Sequence, residues 1–387
     1  MELTNKQEVG LKIAIERYRN NEPYTVIAGY AGTGKSTLIK FIISALAIYP
    51  EEVAYIAYTG KAAQVLRSKG CPNATTAHRL LYKSLQLPDG SFKHIPRLSI
   101  TKYKIIVVDE ISMLPKPMWE LLLSHGIYII ACGDPGQLPP IGESTDVLDH
   151  PHIFLDEIMR QAADSEIIRL ATDIRNGKRV NPFKGTEINI VPRGDLSEGM
   201  FNWADQIICA KNTTRREFNH YFRKMKWDND DISTFPLVGD KVICLKNNWD
   251  RITEIGDALV NGTIGTIEGM YTTPNEYLDM KCTIDFLPDT YNESDIRDQN
   301  FRSLLIDWKL ITAGEPTLNK ENFSTFPKLL RPEQFDYGYV ITCHKSQGSE
   351  WDKVMVIEEM LKPSEHARWL YTAVTRAVNK LTLVLRR

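Results

Sequence analysis

The sequence lacks the features that mark membrane and secreted proteins. No apolar run approaches the roughly 20 residues that a membrane-spanning helix needs. The amino-terminal segment Met1–Gln7 has no basic stretch followed by an apolar core, so it does not resemble a secretion signal. We therefore expect a cytoplasmic protein with no membrane partner.

Charge and cysteine content exclude further classes. The chain has 47 Lys and Arg residues against 49 Asp and Glu residues, which gives a formal net charge of −2. No global basic field therefore indicates a nucleic-acid partner, and any nucleic-acid path must be a local groove. The six cysteines include no Cys-x-x-Cys pair and accompany no histidine cluster, which argues against a zinc site. We expect reduced and mostly buried thiols.

Short apolar strands alternate with helical or loop segments in the first part of the chain. These strands are Tyr24–Ala28, Ala54–Ala57, Ile105–Val108 and Tyr128–Ala131. Strands that are apolar throughout are typical of a parallel sheet covered on both faces. A helix capped by Thr4 is predicted before the first strand, over Thr4–Arg19. Similar patterning resumes after Arg160 and again at Tyr337–Ile341, so 387 residues should form more than one α/β domain.

Two insertions interrupt this pattern. An Asp-Gly pair at 89–90 separates two short alternating runs, which predicts a small hairpin. From Gly239 to about Phe326 the signals turn to β-strands, and we interpret this region as a small inserted β-barrel. The predicted boundaries are 1–81 and 101–159 for the first α/β domain, 82–100 for the hairpin, 160–238 and 327–387 for the second α/β domain, and 239–326 for the barrel.

The strongest chemical signal is a phosphate-binding loop between a strand and a helix. Gly29–Ser36 fits the pattern G-x-x-x-x-G-K-[ST], whose backbone N–H groups and helix amino terminus hold phosphates. Lys35 would reach the β- and γ-phosphates, and the Ser36 hydroxyl would bind Mg²⁺. The residues that we expect to bind ATP in this segment are Gly29, Ala31, Gly32, Thr33, Gly34, Lys35, Ser36 and Thr37.

An acidic pair, Asp109 and Glu110, ends a hydrophobic strand at the sheet edge where open α/β folds bind ligands. Asp109 would hold the Mg²⁺, and Glu110 would orient or deprotonate the attacking water. Hydrolysis also needs positive charge on the γ-phosphate in the transition state, commonly an arginine from a neighbouring domain. Arg160 and Arg376 are the candidates for that role.

Several segments together resemble the motifs of superfamily-1 helicases, especially those of the RecD-like and Dda-like branch. Asp109–Met113, Gly133–Pro140 and Tyr371–Ala377 resemble motifs II, III and VI. The segments that resemble the Q motif and motifs Ia, Ib, IV and V follow in the expected order and are Leu3–Gln7, Tyr58–Ala63, Thr75–Leu81, Met159–Gln161 and His344–Glu350. The resemblance implies two RecA-like parallel-sheet domains, with a short hairpin inserted in the first and a small β-barrel in the second.

The resemblance also implies roles for single residues around ATP. Gln7 would contact the adenine, and Gln137 would sense the γ-phosphate, which the two arginines would reach from the second domain. Gly348 and Glu350 would lie beside the nucleotide. From its residue type alone, Gln7 could instead be an exposed helix residue.

A path for single-stranded DNA is implied in the same way. Its residues would be Thr59, Lys61, Thr76, His78, Thr342, His344 and Lys345. His78 could instead be a packed or capping histidine. The predicted hairpin resembles the strand-separating wedge of this branch, where Phe92 could replace base stacking at the fork or could simply pack the hairpin's base. Leu259–Ile267 resembles a strand turn of the inserted barrel, which in these helicases helps enclose the strand.

Three functions are compatible with these motifs. The first is an ATP-dependent helicase that moves 5′-to-3′ on single-stranded DNA and opens duplex forks, with the direction implied by the branch. The second is the motor subunit of a recombination nuclease, although no nuclease constellation is evident in the sequence. The third is a DNA-stimulated ATPase clamp that does not unwind. We favour the helicase, active as a monomer, with replication or recombination proteins as candidate partners.

Overall fold

The protein was analysed as a computed structural model. The residues that the structure describes are 3–71, 73–86, 92–139, 145–229, 235–252, 258–273, 281–289, 301–307, 310–311 and 331–386. Across those ranges, no helix combines the length and the apolar character that crossing a membrane would need. All six cysteines fall in described ranges, and each is a buried free thiol, which confirms the prediction of buried thiols.

The first domain is a parallel sheet flanked by helices, with a two-stranded hairpin beside it. In chain order its elements are α1 (Asn5–Arg19), β1 (Tyr24–Gly29), α2 (Lys35–Ala45), β2 (Val53–Ala57), α3 (Gly60–Ser68), β3 (Thr75–Thr76), α4 (Ala77–Leu81), β4 (Tyr82–Gln86), β5 (Phe92–Pro96), β6 (Ile105–Val108), α5 (Lys116–Ser124), β7 (Tyr128–Gly133) and β8 (Ile153–Leu155). The sheet order is β3-β2-β6-β7-β1-β8, and every neighbouring pair is parallel. This confirms the predicted parallel sheet.

The apolar strands bury both faces of this sheet. Ile105 and Val107 of β6 pack on one face with Ile42 of α2, whereas Ile106 and Val108 belong to the core on the other face, with α5. Each strand therefore needs apolar side chains at successive positions, which explains why β6 shows no polar alternation.

The second domain contains another parallel sheet and carries the insertion. Its elements are α6 (Arg160–Ala163), α7 (Glu166–Arg175), β9 (Phe183–Lys184), β10 (Ile188–Pro192), α8 (Glu198–Trp203), β11 (Gln206–Cys209), α9 (Asn212–Trp227), β12 (Lys241–Cys244), β13 (Asn248–Ile252), β14 (Ala258–Leu259), β15 (Ile264–Thr273), β16 (Lys281–Pro288), β17 (Phe301–Ile306), β18 (Phe335–Tyr337), β19 (Val340–Thr342), α10 (Cys343–Ser346), β20 (Trp351–Ile357), α11 (Pro363–Val374) and β21 (Ala377–Leu385). Short 3₁₀ turns lie at Pro50–Glu52, Ile111–Met113, Asp146–Leu148 and Arg193–Asp195.

The second sheet and the inserted sheet share one apolar core. The second sheet has the order β19-β11-β20-β21-β10-β9, and the inserted antiparallel sheet has the order β17-β16-β15-β12-β18. Ile207 of β11 and Met355 of β20 belong to the same buried cluster as Phe286 of β16 and Phe335 of β18. The insertion is therefore packed directly onto the second domain.

One strand prediction is wrong in its extent. We predicted a single parallel strand over Tyr337–Ile341, but the structure divides this segment between two sheets. β18 pairs antiparallel with β12 in the inserted sheet, whereas β19 pairs parallel with β11. Gly338 lies between them, packed closely against the backbone of Val242. The inserted sheet therefore extends to Tyr337, past the boundary at residue 326.

The predicted hairpin is present as two antiparallel strands, β4 and β5. The Asp-Gly pair at 89–90 and residues 290–300 of the insertion lie outside the described residues. The closed barrel stays a prediction for the same reason.

Candidate active site

The phosphate loop joins β1 to α2 through two glycines with left-handed backbone. Gly32 and Gly34 have φ of +75° and +80°, a region that residues with a Cβ rarely adopt. A Cβ on Gly34 would also collide with the side chains of Gln7 and Met159. The loop ends where α2 begins at Lys35, so the first backbone N–H groups of that helix point towards the space that an anion would fill.

The Lys35 side chain folds back over the loop. Its Nζ donates to the carbonyl oxygen of Gly29 at 2.7 Å and to that of Tyr30 at 3.1 Å. An ammonium group has three donors on a flexible stem, so it can exchange one of these carbonyls for a phosphate oxygen. The contact of Lys35 with the β- and γ-phosphates stays a prediction.

Gln7 contacts the backbone of the phosphate loop. Its backbone N–H and side chain form a capping box with Thr4 at the start of α1, as the predicted cap requires. Its Nε2 also donates to the carbonyl oxygens of Thr33 at 3.3 Å and Gly34 at 3.4 Å. Gln7 is fully buried, so the alternative of an exposed helix residue is wrong. Its contact with adenine stays a prediction.

The acidic pair follows β6 at the carboxyl edge of the sheet. Asp109 Oδ1 accepts a hydrogen bond from Cys132 Sγ at 3.2 Å. Glu110 has φ of +51°, an unusual value for a residue with a side chain and one that often occurs at functional sites. Burial raises the pKa of Glu110, and the guanidinium charge of Arg376 opposes that rise. Glu110 is therefore tuned towards accepting a proton.

Gln137 connects the acidic pair to the turn after β7. Its Nε2 donates to Glu110 Oε1 at 3.4 Å. The turn is held by the Asp134 carboxylate, whose Oδ1 accepts from Gly136 N at 2.8 Å. The structure thus brings Gln137 to the carboxylate that we expect to act on water.

Tyr371 of α11 bridges the two domains at the phosphate loop. Its hydroxyl accepts from Ala31 N at 2.8 Å and donates to Asp134 Oδ2 at 2.7 Å. The side chain is only 1% exposed. One hydroxyl therefore ties the second domain both to the phosphate loop and to the turn that carries Gln137.

Further contacts close the same interface. Leu138 N donates to Thr372 Oγ1 at 2.8 Å, and Gln347 Nε2 donates to the Leu138 carbonyl oxygen at 2.6 Å. The Arg175 guanidinium lies 3.5 Å from the ring centroid of Tyr30, within range of a cation–π interaction. The phosphate loop therefore sits at a contact between two domains.

The two candidate arginines differ in what the structure describes. Arg376 is buried, and its guanidinium donates to the carbonyl oxygens of Thr372 at 3.0 Å and Ser349 at 3.3 Å. Arg160 begins α6, directly after Met159, whose N–H donates to the Gly32 carbonyl oxygen at 3.0 Å. The Arg160 side chain lies outside the described part of the chain.

Gly348 and Glu350 lie at the domain interface near α3. Gly348 has φ of +72°, and a Cβ there would meet Ala62 at 3.2 Å. Glu350 forms an ion pair with Lys69 at the end of α3, with 2.7 Å between Lys69 Nζ and Glu350 Oε2. Their predicted position beside the nucleotide stays a prediction.

The candidate DNA residues of the first domain lie around α3 and α4. The hydroxyls of Thr59 and Thr76 cap these two helices. Burial lowers the pKa of Lys61, which the Asp289 carboxylate partly offsets. His78 stacks on Tyr82 with ring centroids 4.6 Å apart, and burial lowers its pKa to about 4. His78 therefore packs against the hairpin, and its contact with DNA stays a prediction.

The candidate DNA residues of the second domain lie in α10 and directly before it. Thr342 is buried immediately before that helix. Burial lowers the pKa of both His344 and Lys345. Lys345 Nζ donates to Asn261 Oδ1 of the inserted region. Phe92 begins β5, and its side chain lies outside what the structure describes.

Comparison with known proteins finds similarity to DNA helicases. A model of an AAA domain matches residues 7–188, and a model of a UvrD-like helicase C-terminal domain matches residues 337–384. The ATP-dependent RecD2 DNA helicase of Deinococcus radiodurans is 27% identical over 383 residues, covering 91% of this chain and 45% of the relative. The ATP-dependent DNA helicase dda of Enterobacteria phage T4 is 31% identical over 194 residues, covering 46% of this chain and 43% of the relative. The chain is similar to superfamily-1 helicases along most of its length.

These relatives confirm the predicted resemblance to the RecD-like and Dda-like branch. The chain spans less than half the length of either of the two curated relatives. A solved structure of Pif1 helicases at forked double-stranded DNA aligns with a TM-score of 0.52 and 17% identity, covering 100% of this chain and 92% of that chain. At this identity the likeness shows a shared fold, which agrees with the predicted RecA-like α/β architecture.

The sequence assigned no role to Tyr371, although it lies in the segment that resembles motif VI of the helicases. Its partner Ala31 is 340 positions away in the sequence. No local pattern reveals such a contact. The available signal was a tyrosine hydroxyl inside a recognised motif, since buried tyrosine hydroxyls usually find a hydrogen-bond partner.

Tyr371→Phe should lower the kcat of DNA-stimulated ATP hydrolysis by about tenfold or more. The change leaves Ala31 N–H and Asp134 Oδ2 without a buried partner, which costs about 1–3 kcal/mol. The change in kcat is measured by steady-state ATP hydrolysis at saturating DNA. The matched control is Tyr221→Phe, which removes an exposed hydroxyl that donates to Glu198 and should not change the rate. Equal rates for both variants would contradict the bridging role.

Proposed function

We propose that this chain is an ATP-dependent DNA helicase that moves along single-stranded DNA and unwinds duplex. The observation that supports it is the shared site: Tyr371 and Arg376 of the second domain approach a phosphate loop and an acidic pair of the first. ATP bound there would contact both domains and draw them together, and hydrolysis would release them. Alternating grip of the two domains on the DNA backbone would then produce directional stepping.

Each group at the site has a role in hydrolysis under this proposal. Lys35 binds the β- and γ-phosphates of the substrate ATP. Glu110 accepts a proton from the attacking water, which its raised pKa favours. Gln137, held against Glu110, senses the γ-phosphate. Arg376, joined by Arg160, stabilises the charge that develops on the transferred phosphoryl group.

Magnesium fits the oxygen donors of this site. The Ser36 hydroxyl lies in the first turn of α2, and the Asp109 carboxylate ends β6. These are hard oxygen ligands, and Mg²⁺ is usually bound by one or two protein oxygens together with substrate phosphates. Asp109 Oδ1 accepts a hydrogen bond from the Cys132 thiol, a weak S–H donor that a cation can outcompete. When bound, the ion would neutralise charge on the phosphates.

The proposed DNA path runs over α3 and α4 of the first domain and α10 of the second. Burial lowers the pKa of Lys61 and Lys345. A DNA phosphate beside either lysine would favour its charged form, because opposite charges raise the pKa of a cation. Both domains thus offer groups that a phosphate backbone would stabilise. The hairpin β4–β5 stands beside this path, where we propose that it separates the strands.

The deciding experiment measures ATP-dependent unwinding of two duplexes, one with a 5′ single-stranded tail and one with a 3′ tail. We expect only the 5′-tailed duplex to open, as the RecD-like and Dda-like branch implies. Lys35→Ala should abolish opening, because the variant lacks the ammonium that binds the β- and γ-phosphates. The control for the variant is binding of single-stranded DNA without nucleotide, which should be preserved.

Other outcomes separate the alternatives. Opening of the 3′-tailed duplex alone would leave a motor but contradict the direction. DNA-stimulated hydrolysis without opening of either duplex would contradict the helicase and favour a clamp or a partner-dependent subunit.

A further inference from the structure

A second groove lies on the first domain, away from the phosphate loop. It is a cavity of about 850 Å³ between the edge strand β3, the ends of α3 and α4, and the segment that follows β5. The lining includes four cations and one acid: Arg67, Arg79, Arg97, Lys102 and Glu51. We call this cavity the basic groove. In a chain whose formal net charge is −2, such a local excess of positive charge favours binding of an anion.

The chemistry of the basic groove suits a sugar–phosphate backbone. Arg79, Arg97 and Lys102 are exposed, so their charged groups face solvent. Ser99 and Thr101 also line the groove and add neutral hydrogen-bonding groups. Contacts to phosphate and sugar come mainly from Arg and Lys, with Ser, Thr and Asn side chains adding to them. The groove therefore offers the donor set of a backbone-binding surface.

The place of the groove in the fold separates it from the ATP site. β3 is the edge of the sheet, and three strands separate it from β1, which leads to the phosphate loop. Arg97 follows β5 directly, and its N–H donates to the Leu81 carbonyl oxygen at 2.7 Å, so the groove begins at the base of the hairpin. Thr75 and Arg79 line the groove and are sequence neighbours of Thr76 and His78, which we assign to the tracked strand.

We propose that the basic groove binds the phosphodiester backbone of the second DNA strand at the fork, the strand that the motor does not track. This inference rests on the proposed helicase function. The tracked strand is assigned to α3, α4 and α10, and the hairpin rises beside it. The groove at the hairpin's base supplies separate cations, so it can hold the other strand while the hairpin keeps the two apart. That strand is either still paired in the duplex arm or already displaced.

The test compares binding of three DNAs by fluorescence anisotropy without nucleotide: a single strand, a 5′-tailed duplex, and a fork with two tails. The variant is Arg97→Gln/Lys102→Gln. Its affinity for DNA with a second strand should fall by about tenfold, and the slope of log affinity against log salt should fall by about 2. Affinity for the single strand should stay within about twofold. The matched control is Lys12→Gln/Arg19→Gln, which removes two exposed cations of α1 and should change none of these affinities.

Each outcome decides the proposal. A loss with the tailed duplex and the fork alike identifies the duplex arm as the ligand, whereas a loss confined to the fork identifies the displaced strand. An equal loss for all three DNAs, or no loss, would overturn the proposal. Because the readout is equilibrium binding, failure of the groove is distinct from failure of the helicase function, which would appear as absent unwinding by the unmodified protein.

Discussion

Arg376→Ala should lower the kcat of DNA-stimulated ATP hydrolysis by about a thousandfold or more, which is what an arginine on the transferred phosphoryl group is worth. Within the second domain, the guanidinium donates hydrogen bonds to the carbonyl oxygens of Thr372 and Ser349, which fix its position. In the unmodified protein, the charge of Arg376 opposes the rise in pKa that burial causes at Glu110. Loss of this charge should therefore raise the pKa of Glu110 further. The acid limb of the pH–rate profile should therefore move to higher pH.

Two further variants separate charge from geometry. Arg376→Lys keeps the charge, so the acid limb should stay in place, but lysine lacks the planar fork and should not restore the rate. Arg368→Ala removes an exposed arginine from the same helix, α11, and should not change hydrolysis. If Arg376→Ala lowers kcat by less than tenfold, Arg376 does not stabilise the transition state. Binding of a non-hydrolysable ATP analogue should survive in all three variants.

Asp240→Asn should lower the free energy of unfolding by about 3–5 kcal/mol, the cost of leaving a buried charge without its partner. The Asp240 and Arg223 side chains are both fully buried, and Arg223 Nη2 lies 2.9 Å from Asp240 Oδ2. The same carboxylate accepts from Trp227 Nε1 at 3.1 Å and from the Tyr339 hydroxyl at 2.8 Å. The substitution keeps the shape of the side chain but places an amide where several donors converge. Urea unfolding followed by tryptophan fluorescence measures the change.

The matched control is an exposed ion pair. Asp173→Asn breaks a pair with Lys178 in which both side chains are largely in solvent, so it should cost less than about 1 kcal/mol. Replacing both Arg223 and Asp240 with apolar residues should not recover stability, because the Trp227 and Tyr339 donors would stay buried without an acceptor. Equal stability of Asp240→Asn and Asp173→Asn would show that the buried pair contributes little.

The parts of the site that could be predicted from sequence are those whose chemistry is local. The phosphate loop needs glycine at positive φ next to a helix start, and the acidic pair needs only the end of a buried strand. Both conditions are met within a few residues, and the structure places Lys35 and Glu110 accordingly. The placement of Gln7 against the loop is different, because its burial depends on how α1 packs against α2.

The sequence-based predictions were wrong or incomplete where contacts with distant segments decide the structure. Tyr337–Ile341 is apolar throughout, so its pattern fits a buried strand in either sheet. The pairing partners β12 and β11 decide the outcome, and neither is visible from within the segment. The role of Tyr371 was missed for the same reason, since its hydroxyl partners lie in another domain.

The shared core of the second sheet and the inserted sheet limits how these two sheets can move relative to each other. Phe286 and Phe335 pack in one cluster with Ile207 and Met355. Pulling the sheets apart would expose that cluster at about 25 cal/mol per Å², or about 10 kcal/mol for every 400 Å², which rivals the whole stability of a typical domain. A shortened chain made by excising the insertion would expose the same surface and should aggregate. Under the proposed helicase function, the insertion and the second domain would therefore move as one body, and DNA enclosed by the insertion would travel with the second domain.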